Sequence, residues 1–552
     1  MIAKAFLTLA LVVCLVIGAD AKQGKRSVIQ LIADGFGPAS ETFAREFMQA
    51  RNNVSWGTEL VLDRHLVGSI RTRAVNTLVT DSAASATAYS CGVKSKNAYI
   101  GVDIDQKPCG TVLEAAKQAG LNTALVTTTR VTHATPASYS SHISDRDLEN
   151  DIAVQQIGEY SLGRQLDLLW GGGRRHFLPK SSKDSKREDD RNLIEEAQNA
   201  GWTVALNRDD FDEFENGDNV KFPSLALFTN SHMSYEVDRE QKKEPSLTEM
   251  TIAALNSLAK QDKPFFIMVE GGRVDHAGHN NDPIGHVYDI LEYNRMFEAV
   301  AKWVDEHDKS SEGGDEYLVL STADHECGGL TLADQRPEDE DGEYAWFPDQ
   351  LFGAKHSTEY LSAMFLEESK NMTSSEKLKY MKETIVEENL GMHNVTDAEI
   401  KRAVELSRAD DDGLALTIWL ASIVNWRAHI GWTTTGHSGV DVNLYLHTKN
   451  QTEGFLRNFR ANHENTWISK FTASFLDLDL QSVTDRLNNG SHYVAGHTSS
   501  NNSVPYDPYH AGPNRVVPSR LNLYQMSKRS KRSNKVYYSH VENTMHRRTL
   551  LG

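Results

Sequence analysis

The stretch Phe265-Phe-Ile-Met-Val-Glu270-Gly-Gly-Arg-Val-Asp275-His276-Ala-Gly-His279 gives the strongest indication of the fold. Its first five residues form a short apolar run, which is typical of a strand buried on both faces of a parallel sheet. Four side chains able to bind a metal follow directly, and the glycines among them let the backbone turn sharply. Open α/β sheets bind their ligands beyond the carboxyl ends of such strands. The stretch therefore predicts a strand that carries metal ligands to one sheet edge.

Three further apolar runs end in the same way, on residues that can bind a metal ion. They are Val28–Ala33 before Asp34, Leu121–Val126 before the polar stretch Thr127–Thr135, and Tyr317–Leu320 shortly before Asp324 and His325. Parallel strands present their carboxyl ends at a common edge, so we expect these carboxylates and imidazoles to gather there.

Helices are predicted between the strands. Residues 111–120 form a helical pattern that ends at Gly120 and leads into the second apolar run. Ser246 and Glu249 have the spacing of a capping box, ahead of a helix that leads to the Phe265 run. Alternation of strands and helices predicts an α/β fold, with helices around a large, mainly parallel sheet and right-handed crossovers.

Composition and net charge restrict the kinds of molecule that the protein is expected to bind. The chain has 552 residues, 39% hydrophobic and 24% charged, which is ordinary for a folded protein with a large core. One large α/β domain with insertions fits this length as well as two domains. The formal net charge of −18 argues against a nucleic acid partner. An anionic substrate would have to be attracted locally, for instance by bound divalent cations.

The two ends of the chain differ from the rest. Residues 1–21 combine Lys4, an apolar run to Gly18 and the small-x-small sequence Ala19-Asp-Ala21, which predicts a secretory signal peptide too short to span a bilayer. We therefore expect a secreted, extracellular protein, or a periplasmic one in a bacterium. Residues 511–552 are predicted to be a basic tail. No apolar run closes the chain, so no membrane anchor is expected.

Cysteines and glycosylation sequons fit an exported protein. Cys14 lies in the predicted signal peptide, and Cys91 and Cys109 could form one disulfide. Cys327 would then be a free thiol. Six asparagines begin Asn-x-Ser/Thr sequons and would mark surface positions: Asn53, Asn371, Asn394, Asn450, Asn489 and Asn501.

The pattern changes from about residue 334 to 426. An acidic loop is followed by charged helical stretches at 376–388 and 397–408, with little strand character. This segment is predicted to be an insertion into the α/β domain of residues 22–510. The core resumes with Trp432-Thr-Thr-Thr-Gly-His437 and a strand at 440–446.

Asp275 and His279 are four residues apart, which lets a carboxylate and an imidazole converge on one ion and suits Zn²⁺. The structural alternative is a polar surface loop. Asp324-His325 and Asp34-Gly35 are weaker signals alone, because such pairs are common in turns and helix caps.

Ser82 follows Asp81 at the start of a helical stretch of small residues. The amino end of a helix favours negative charge, which makes Ser82 a candidate nucleophile. The alternative is a plain helix cap. No nearby histidine in the sequence suggests a general base, so coordination to a metal would be the other means of activation.

Arg146 is flanked by Asp145 and Asp147. Its guanidinium could clamp a tetrahedral oxyanion with two hydrogen bonds, or it could be a solvated arginine paired with those aspartates.

Taken together and in order, these motifs resemble those of alkaline phosphatases. The resemblance rests on Asp34, Asp81-Ser82-Ala, Thr-Arg-Val-Thr-His133-Ala-Thr135-Pro, Arg146, Glu270-Gly-Gly-Arg-Val-Asp275-His276-x-x-His279, Thr-Ala-Asp324-His325 and Gly-His437, between about residues 27 and 447. It implies a three-layer sandwich, a crown-like insertion and a homodimer. It also implies hydrolysis of phosphate monoesters through a phosphoserine.

The resemblance further implies two zinc ions and one magnesium ion per subunit. The first zinc would take Asp275, His279 and His437, and the second Asp34, Asp324 and His325, joined by Ser82. Asp34, Thr135 and Glu270 would hold magnesium, Arg146 would bind phosphate, and His133 and His276 would act through water. Two zinc ions roughly 4 Å apart can clamp the attacking and leaving oxygens of an in-line displacement.

Departures from the family pattern are also present. Cys327 stands where vertebrate members have a histidine, which could change the tuning of the metal site. Glu236 and Glu244 remain plausible ligands of the additional calcium site of vertebrate members, but Thr229 replaces an expected acid, so this site is incomplete and the sequence leaves calcium binding open.

Related activities are less well supported. A sulfatase would be expected to show a Cys-x-Pro-x-Arg motif, which Cys91-Gly-Val-Lys-Ser95 lacks, and a nucleotide pyrophosphatase-like diesterase usually has threonine at the position of Ser82. A secreted zinc-binding protein without activity is the alternative from another class. Pseudoenzymes usually lose a ligand or the nucleophile, whereas here every matched position is retained.

Overall fold

A ten-stranded sheet forms the centre of the molecule. The computed structural model describes residues 24–335, 341–410 and 412–489, which belong to one compact unit. The strands are β1 Arg26–Ala33, β2 Leu66–Arg71, β3 Asn122–Arg130, β4 Leu168–Gly172, β5 Thr203–Ala205, β6 Ser224–Leu227, β7 Phe265–Gly271, β8 Glu316–Thr322, β9 Glu326–Cys327, β10 Leu330–Leu332, β11 Ile430–Trp432, β12 His437–Ser438, β13 Val442–His447 and β14 Asn462–Glu464.

The strand order across the sheet is β14-β2-β13-β8-β1-β7-β3-β4-β6-β5. Every pairing in it is parallel except those of β13, which runs antiparallel to both β2 and β8. Two small antiparallel ladders, β10 with β11 and β9 with β12, lie outside the sheet. The prediction of an α/β sandwich around a large, mainly parallel sheet is confirmed.

The helices are α1 Pro38–Arg51, α2 Ser82–Cys91, α3 Val112–Gln118, α4 Ala134–Ser140, α5 Glu149–Gln156, α6 Leu193–Asn199, α7 Arg208–Asp212, α8 Leu247–Ala259, α9 Arg273–His279, α10 Pro283–His307, α11 Thr358–Glu368, α12 Ser374–Tyr380, α13 Asp397–Leu406, α14 Leu414–Ala428, α15 Glu453–Leu456, α16 Thr466–Leu476 and α17 Leu480–Asn489. Thr111 and Ser246 cap α3 and α8 with complete capping boxes, and the predicted box of Ser246 with Glu249 is confirmed.

The central strands of the sheet are apolar and are buried on both faces. Every residue of β3 and β7 is buried. In the sheet register Glu270 of β7 lies beside Ile32 of β1 and Thr127 of β3. Three strands run past the ends of their apolar runs, since β3 continues to Arg130, β7 to Gly271 and β8 to Thr322. Glu270 is therefore held rigidly within a strand.

The insertion shares the core of the sheet rather than forming its own. Buried side chains of the segment, such as Leu361, Phe365 and Trp419, belong to the same apolar cluster as the β-strands. The charged stretch predicted at 376–388 consists of α12 and a π-helical segment, Met381–Asn389. Helix α14 runs past the predicted boundary at 426.

The structure also bears on the remaining sequence predictions. Cys91 and Cys109 form a disulfide, while Cys327 is a buried free thiol. Among the helices of the described residues, none combines the length and apolar character that crossing a bilayer requires. The predicted signal peptide of residues 1–21 and the basic tail of residues 511–552 lie outside the described residues.

Candidate active site and metal centre

The carboxyl ends of three neighbouring strands bring acids and an imidazole together. Asp34 follows β1, Glu270 lies near the end of β7, and Asp324 and His325 follow β8. All four side chains have no exposed surface. Because β1 is the middle strand of the three, Asp34 lies between the other groups, as expected for ligands that meet at one sheet edge.

Ser82 is the first residue of α2, and it is completely buried. The helix cap is Asp81, whose carboxylate accepts from the backbone N–H of Ala84 at 2.9 Å. The capping alternative for Ser82 is therefore wrong. Its Oγ lies 3.1 Å from Nε2 of His325, a residue distant in sequence. The hydroxyl thus faces the acids and imidazoles that follow the strands.

A first group of candidate ligands joins α9 to β12. Nε2 of His279 lies 3.3 Å from an oxygen of Asp275, and Nε2 of His437 lies 3.5 Å from its other oxygen. The two Nε2 atoms are only 3.2 Å apart. Asp275 and His279 lie on one face of a short helix, not on the exposed polar loop that was the alternative.

Backbone carbonyls orient both of these imidazoles. Nδ1 of His279 lies 2.6 Å from the carbonyl oxygen of Thr435, and Nδ1 of His437 lies 2.8 Å from that of Thr80. A carbonyl only accepts, so each Nδ1 donates its proton there, and in the neutral form of each ring, which is the form that binds a metal, the lone pair is on Nε2. Two lone pairs that face each other beside a carboxylate are the arrangement of metal-binding histidines.

A second group surrounds His325. Its Nε2 lies 3.2 Å from Oδ2 of Asp324 and 3.5 Å from Oδ1 of Asp34, in addition to its contact with Ser82. Oδ1 of Asp34 and Oδ2 of Asp324 are buried and accept no hydrogen bond from the described residues. A serine oxygen, an imidazole and two carboxylates are therefore within reach of one another.

A third group lies on the other side of Asp34. Its Oδ2 accepts from the Thr135 hydroxyl at 3.3 Å. Glu270 accepts hydrogen bonds from the hydroxyls of Thr127 and Thr129 through Oε2. The other oxygen, Oε1, is buried without a hydrogen bond from any described residue. These oxygen-rich groups suit a hard cation such as Mg²⁺.

The electrostatics of the three groups favour the binding of positive ions. Burial, followed by repulsion from Asp324 and Asp275, raises the pKa of Asp34 well above its ordinary value. Burial raises the pKa of Glu270 to about 7. Unpaired buried carboxylates of this kind are costly unless they coordinate metals. The donor set and its unsatisfied oxygens therefore fit bound divalent cations.

Asp275 differs from these acids because imidazoles surround it. Burial alone would raise its pKa, but His279, His437 and His325 outweigh burial and hold that pKa well below the usual range. Asp275 is thus stabilised as the carboxylate, the form that binds a metal.

Arg146 faces the same region and is buried. Its guanidinium donates to Asp81 at 3.2 Å and to Nε2 of His133 at 3.3 Å. The alternative in which Arg146 pairs with its flanking aspartates is therefore wrong. The His133 ring lies 5.4 Å from that of His276. The structure thus brings all the predicted site residues, from Asp34 to His437, to one edge of the sheet.

Several residues at the site were assigned no role from the sequence alone. They are Thr127, Thr129, Arg130, Glu149, His232 and Arg273. Four of them lie within the quoted stretches, but a sequence motif does not show which side chains meet; Glu149 and His232 lie outside any motif. Cys327 lies closer than expected, since its sulfur belongs to a group with Asp275, His279 and His437 whose ligand atoms all lie within 4.8 Å. β9 places Cys327 directly opposite His437 of β12.

The carboxylates of Glu236 and Glu244, the two candidate calcium ligands, accept hydrogen bonds from other groups of the protein. Glu236 pairs with Arg239 at 2.7 Å and with Arg295 at 3.2 Å. Glu244 accepts from the backbone N–H and the hydroxyl of Ser234.

A buried ion pair supports the segment at the start of α4, where His133 and Thr135 lie. Arg130 donates to both oxygens of Glu149, with distances of 2.8 to 3.1 Å. Burial opposes ionisation of Glu149, but the surrounding cations, chiefly Arg130 with its charge and its hydrogen bonds, outweigh burial and lower the pKa of Glu149 to about 2. The pair therefore contributes stability above about pH 4.5, and this contribution is lost as the pH falls towards 2.

We expect Glu149→Gln to lower the free energy of unfolding at pH 7 by roughly 3 kcal/mol. The difference from wild type should shrink between pH 4.5 and pH 2, because the wild-type carboxylate becomes protonated in that window. Urea unfolding of wild type and of Glu149→Gln, both treated with chelator, over a series of pH values measures this difference in the free energy of unfolding. A difference that stays constant down to pH 3 would contradict this explanation.

Comparison with known proteins agrees with this geometry. The sequence model of the alkaline phosphatase family matches residues 25–478. The chain is 44% identical to the repressible alkaline phosphatase of Saccharomyces cerevisiae over 86% of this chain and 85% of that protein. It is 35% identical to alkaline phosphatase 3 of Bacillus subtilis, covering 81% and 87% of the two chains. The crystal structure of Thermus thermophilus alkaline phosphatase superposes with a TM-score of 0.68 at 27% identity, over 83% of this chain and 92% of that chain.

Proposed function

The chain belongs to the alkaline phosphatase family of phosphoric monoester hydrolases, and from this premise we propose that it forms a phosphoserine on Ser82. The observation that supports the proposal most is the position of the Ser82 hydroxyl. It is buried, begins a helix of ten residues and lies 3.1 Å from His325 among three groups of candidate ligands.

We propose two zinc ions and one magnesium ion as cofactors. The first zinc site would consist of Asp275, His279 and His437, and the second of Asp34, Asp324 and His325 with the oxygen of Ser82. Magnesium would be held by Asp34, Thr135 and Glu270. When bound, these cations would supply Lewis acidity that lowers the pKa of coordinated hydroxyl groups and neutralises developing negative charge.

The protein groups around Ser82 would stabilise an attached phosphoryl group. The amino end of α2 presents backbone N–H groups and the positive end of the helix dipole to an anion. Arg146 would donate two hydrogen bonds to phosphate oxygens, and Asp81 and His133 hold its guanidinium in place. Ser82 would attack the phosphorus, releasing the alcohol. Water would then cleave the phosphoserine, giving two inversions and net retention.

Hydrolysis of a chromogenic phosphate monoester at alkaline pH, in zinc- and magnesium-replete protein, tests the activity. Turnover of the monoester should far exceed that of the corresponding diester. A preference for the diester would favour a phosphodiesterase instead. No hydrolysis of either ester would favour the zinc-binding protein without activity.

Arg146→Ala is expected to weaken inhibition by inorganic phosphate about 10- to 100-fold, the loss typical of one or two hydrogen bonds to a charged group. The metal content should stay unchanged, because Arg146 is not a candidate ligand. Inhibition constants and metal analysis of both proteins measure these effects. Equal phosphate inhibition in the variant and in wild type would refute the assigned role.

Other features follow from family membership as part of the proposal. We propose a homodimer with the insertion at its interface, and secretion by means of the signal peptide. Glycosylation is proposed at sequons such as Asn53, Asn371 and Asn394, which the structure exposes. His133 and His276 are proposed to contact magnesium or phosphate through water.

A further inference from the structure

The insertion reaches the candidate active site through the first turn of α11. Three contacts with core aspartates fasten this end of the helix. The backbone N–H of Thr358 donates to Asp282 at 2.8 Å, and Ser357 and His356 both contact Asp238 at 3.0 Å. The position of the next residue, Glu359, is therefore fixed relative to the sheet.

The carboxylate of Glu359 connects three core side chains. One oxygen accepts from a terminal nitrogen of Arg273 at 2.9 Å. The other accepts from the hydroxyl of Tyr235 at 3.2 Å and from the amide of Asn280 at 3.3 Å. Glu359 thus bridges segments before and after β7 with charge-assisted hydrogen bonds.

Arg273 carries this connection to His276. It is the first residue of α9 and is 3% exposed, and its guanidinium lies 3.8 Å from the centre of the Tyr235 ring. Its second terminal nitrogen lies 2.8 Å from Nδ1 of His276. Arginine has only donors, so Nδ1 of His276 must accept. The proton of the neutral imidazole is therefore on Nε2, on the side of the ring away from Arg273.

His276 lies in the part of the site assigned to phosphate. It is fully buried and adjacent to Asp275, and its ring lies 5.4 Å from that of His133, the acceptor of Arg146. A ring fixed as an Nε2–H donor can donate to a phosphate oxygen or to a bridging water. A ring in the other tautomer offers only a lone pair, which would repel an anion.

We propose that Glu359 is a positioning residue for phosphate: it holds Arg273, which fixes His276 as an Nε2–H donor towards the bound anion. This inference rests on the proposed function. It makes the insertion a determinant of phosphate affinity through a chain of three side chains, Glu359, Arg273 and His276. The three side chains that donate to Glu359, those of Arg273, Tyr235 and Asn280, are not candidate metal ligands.

The test compares Glu359→Ala and Glu359→Gln with Glu367→Ala, a control on the same helix whose carboxylate pairs with Lys370 at the surface. Glu359→Ala should raise both the inhibition constant of inorganic phosphate and the KM for a monoester about tenfold, the lower end of the losses seen for outer-shell partners. Metal content should be unchanged and kcat should change less than KM. Glu359→Gln keeps an acceptor for Arg273, so its inhibition constant for phosphate and its KM should lie between those of wild type and those of Glu359→Ala.

A double-mutant cycle separates this role from a purely structural one. If Glu359 acts through His276, then adding Glu359→Ala to His276→Gln should not weaken phosphate inhibition further. Additive effects, or a fall in melting temperature without any change in phosphate inhibition, would overturn the inference. If wild type neither hydrolyses monoesters nor binds phosphate, the proposed function fails. An active wild type with an unaltered Glu359→Ala variant refutes only the positioning role.

Discussion

Ser82→Ala should lower kcat for monoester hydrolysis by about 10³-fold or more and abolish the phosphoenzyme, because loss of a serine nucleophile typically removes at least this much activity. The alanine leaves no oxygen where Ser82 Oγ now lies 3.1 Å from His325. The remaining groups could still bind phosphate and metals. The loss should therefore appear in the chemical step and not in binding.

Acid quenching of the enzyme with labelled phosphate, followed by measurement of protein-bound label, tests this prediction. Ser90→Ala is the matched control, since Ser90 is a buried serine of the same helix whose hydroxyl donates to the carbonyl of Ser138. It should trap label as wild type does. A Ser82→Ala protein that still traps label would refute the assigned nucleophile.

Removal of metals should have the second large effect, abolishing activity and lowering the melting temperature. A cation bound at 1,000 times its Kd stabilises the folded state by about 4 kcal/mol, which is lost on chelation. Without cations, one buried oxygen each of Asp34, Glu270 and Asp324 lacks a hydrogen bond from the described residues. Their mutual repulsion then acts against folding.

Calorimetry and the monoester assay measure both effects before and after chelation. Zinc and magnesium together should restore activity and melting temperature, while calcium should not. An apo-protein with unchanged activity and melting temperature would show that the three groups hold no functional metal.

The sequence alone predicted those features that local patterns encode. Apolar runs identified β1, β3, β7 and β8, and the rule of ligands at carboxyl ends placed Asp34, Glu270 and Asp324 at one edge. His437 is separated from these strands by the insertion, so only the order of family motifs assigned it. Its actual position depends on the two-residue ladder of β9 with β12, which no local pattern specifies.

Long-range contacts explain what the sequence could not provide. The hydroxyls of Thr127 and Thr129 meet Glu270 only because β3 and β7 are neighbours in the sheet. Arg146 pairs with Asp81, 65 residues away, and not with the aspartates beside it. Glu359 lies in a charged segment without any motif, and its contact with Arg273 depends on how the insertion packs against the core.

Anomalous diffraction from crystals of the zinc- and magnesium-loaded protein tests the central claim most directly. Data collected on the two sides of the zinc absorption edge should show two zinc peaks. One should lie among Asp275, His279 and His437, and the other among Asp34, Asp324 and His325 beside the Ser82 oxygen. No zinc peak at these residues, in a crystal of active enzyme, would contradict the account.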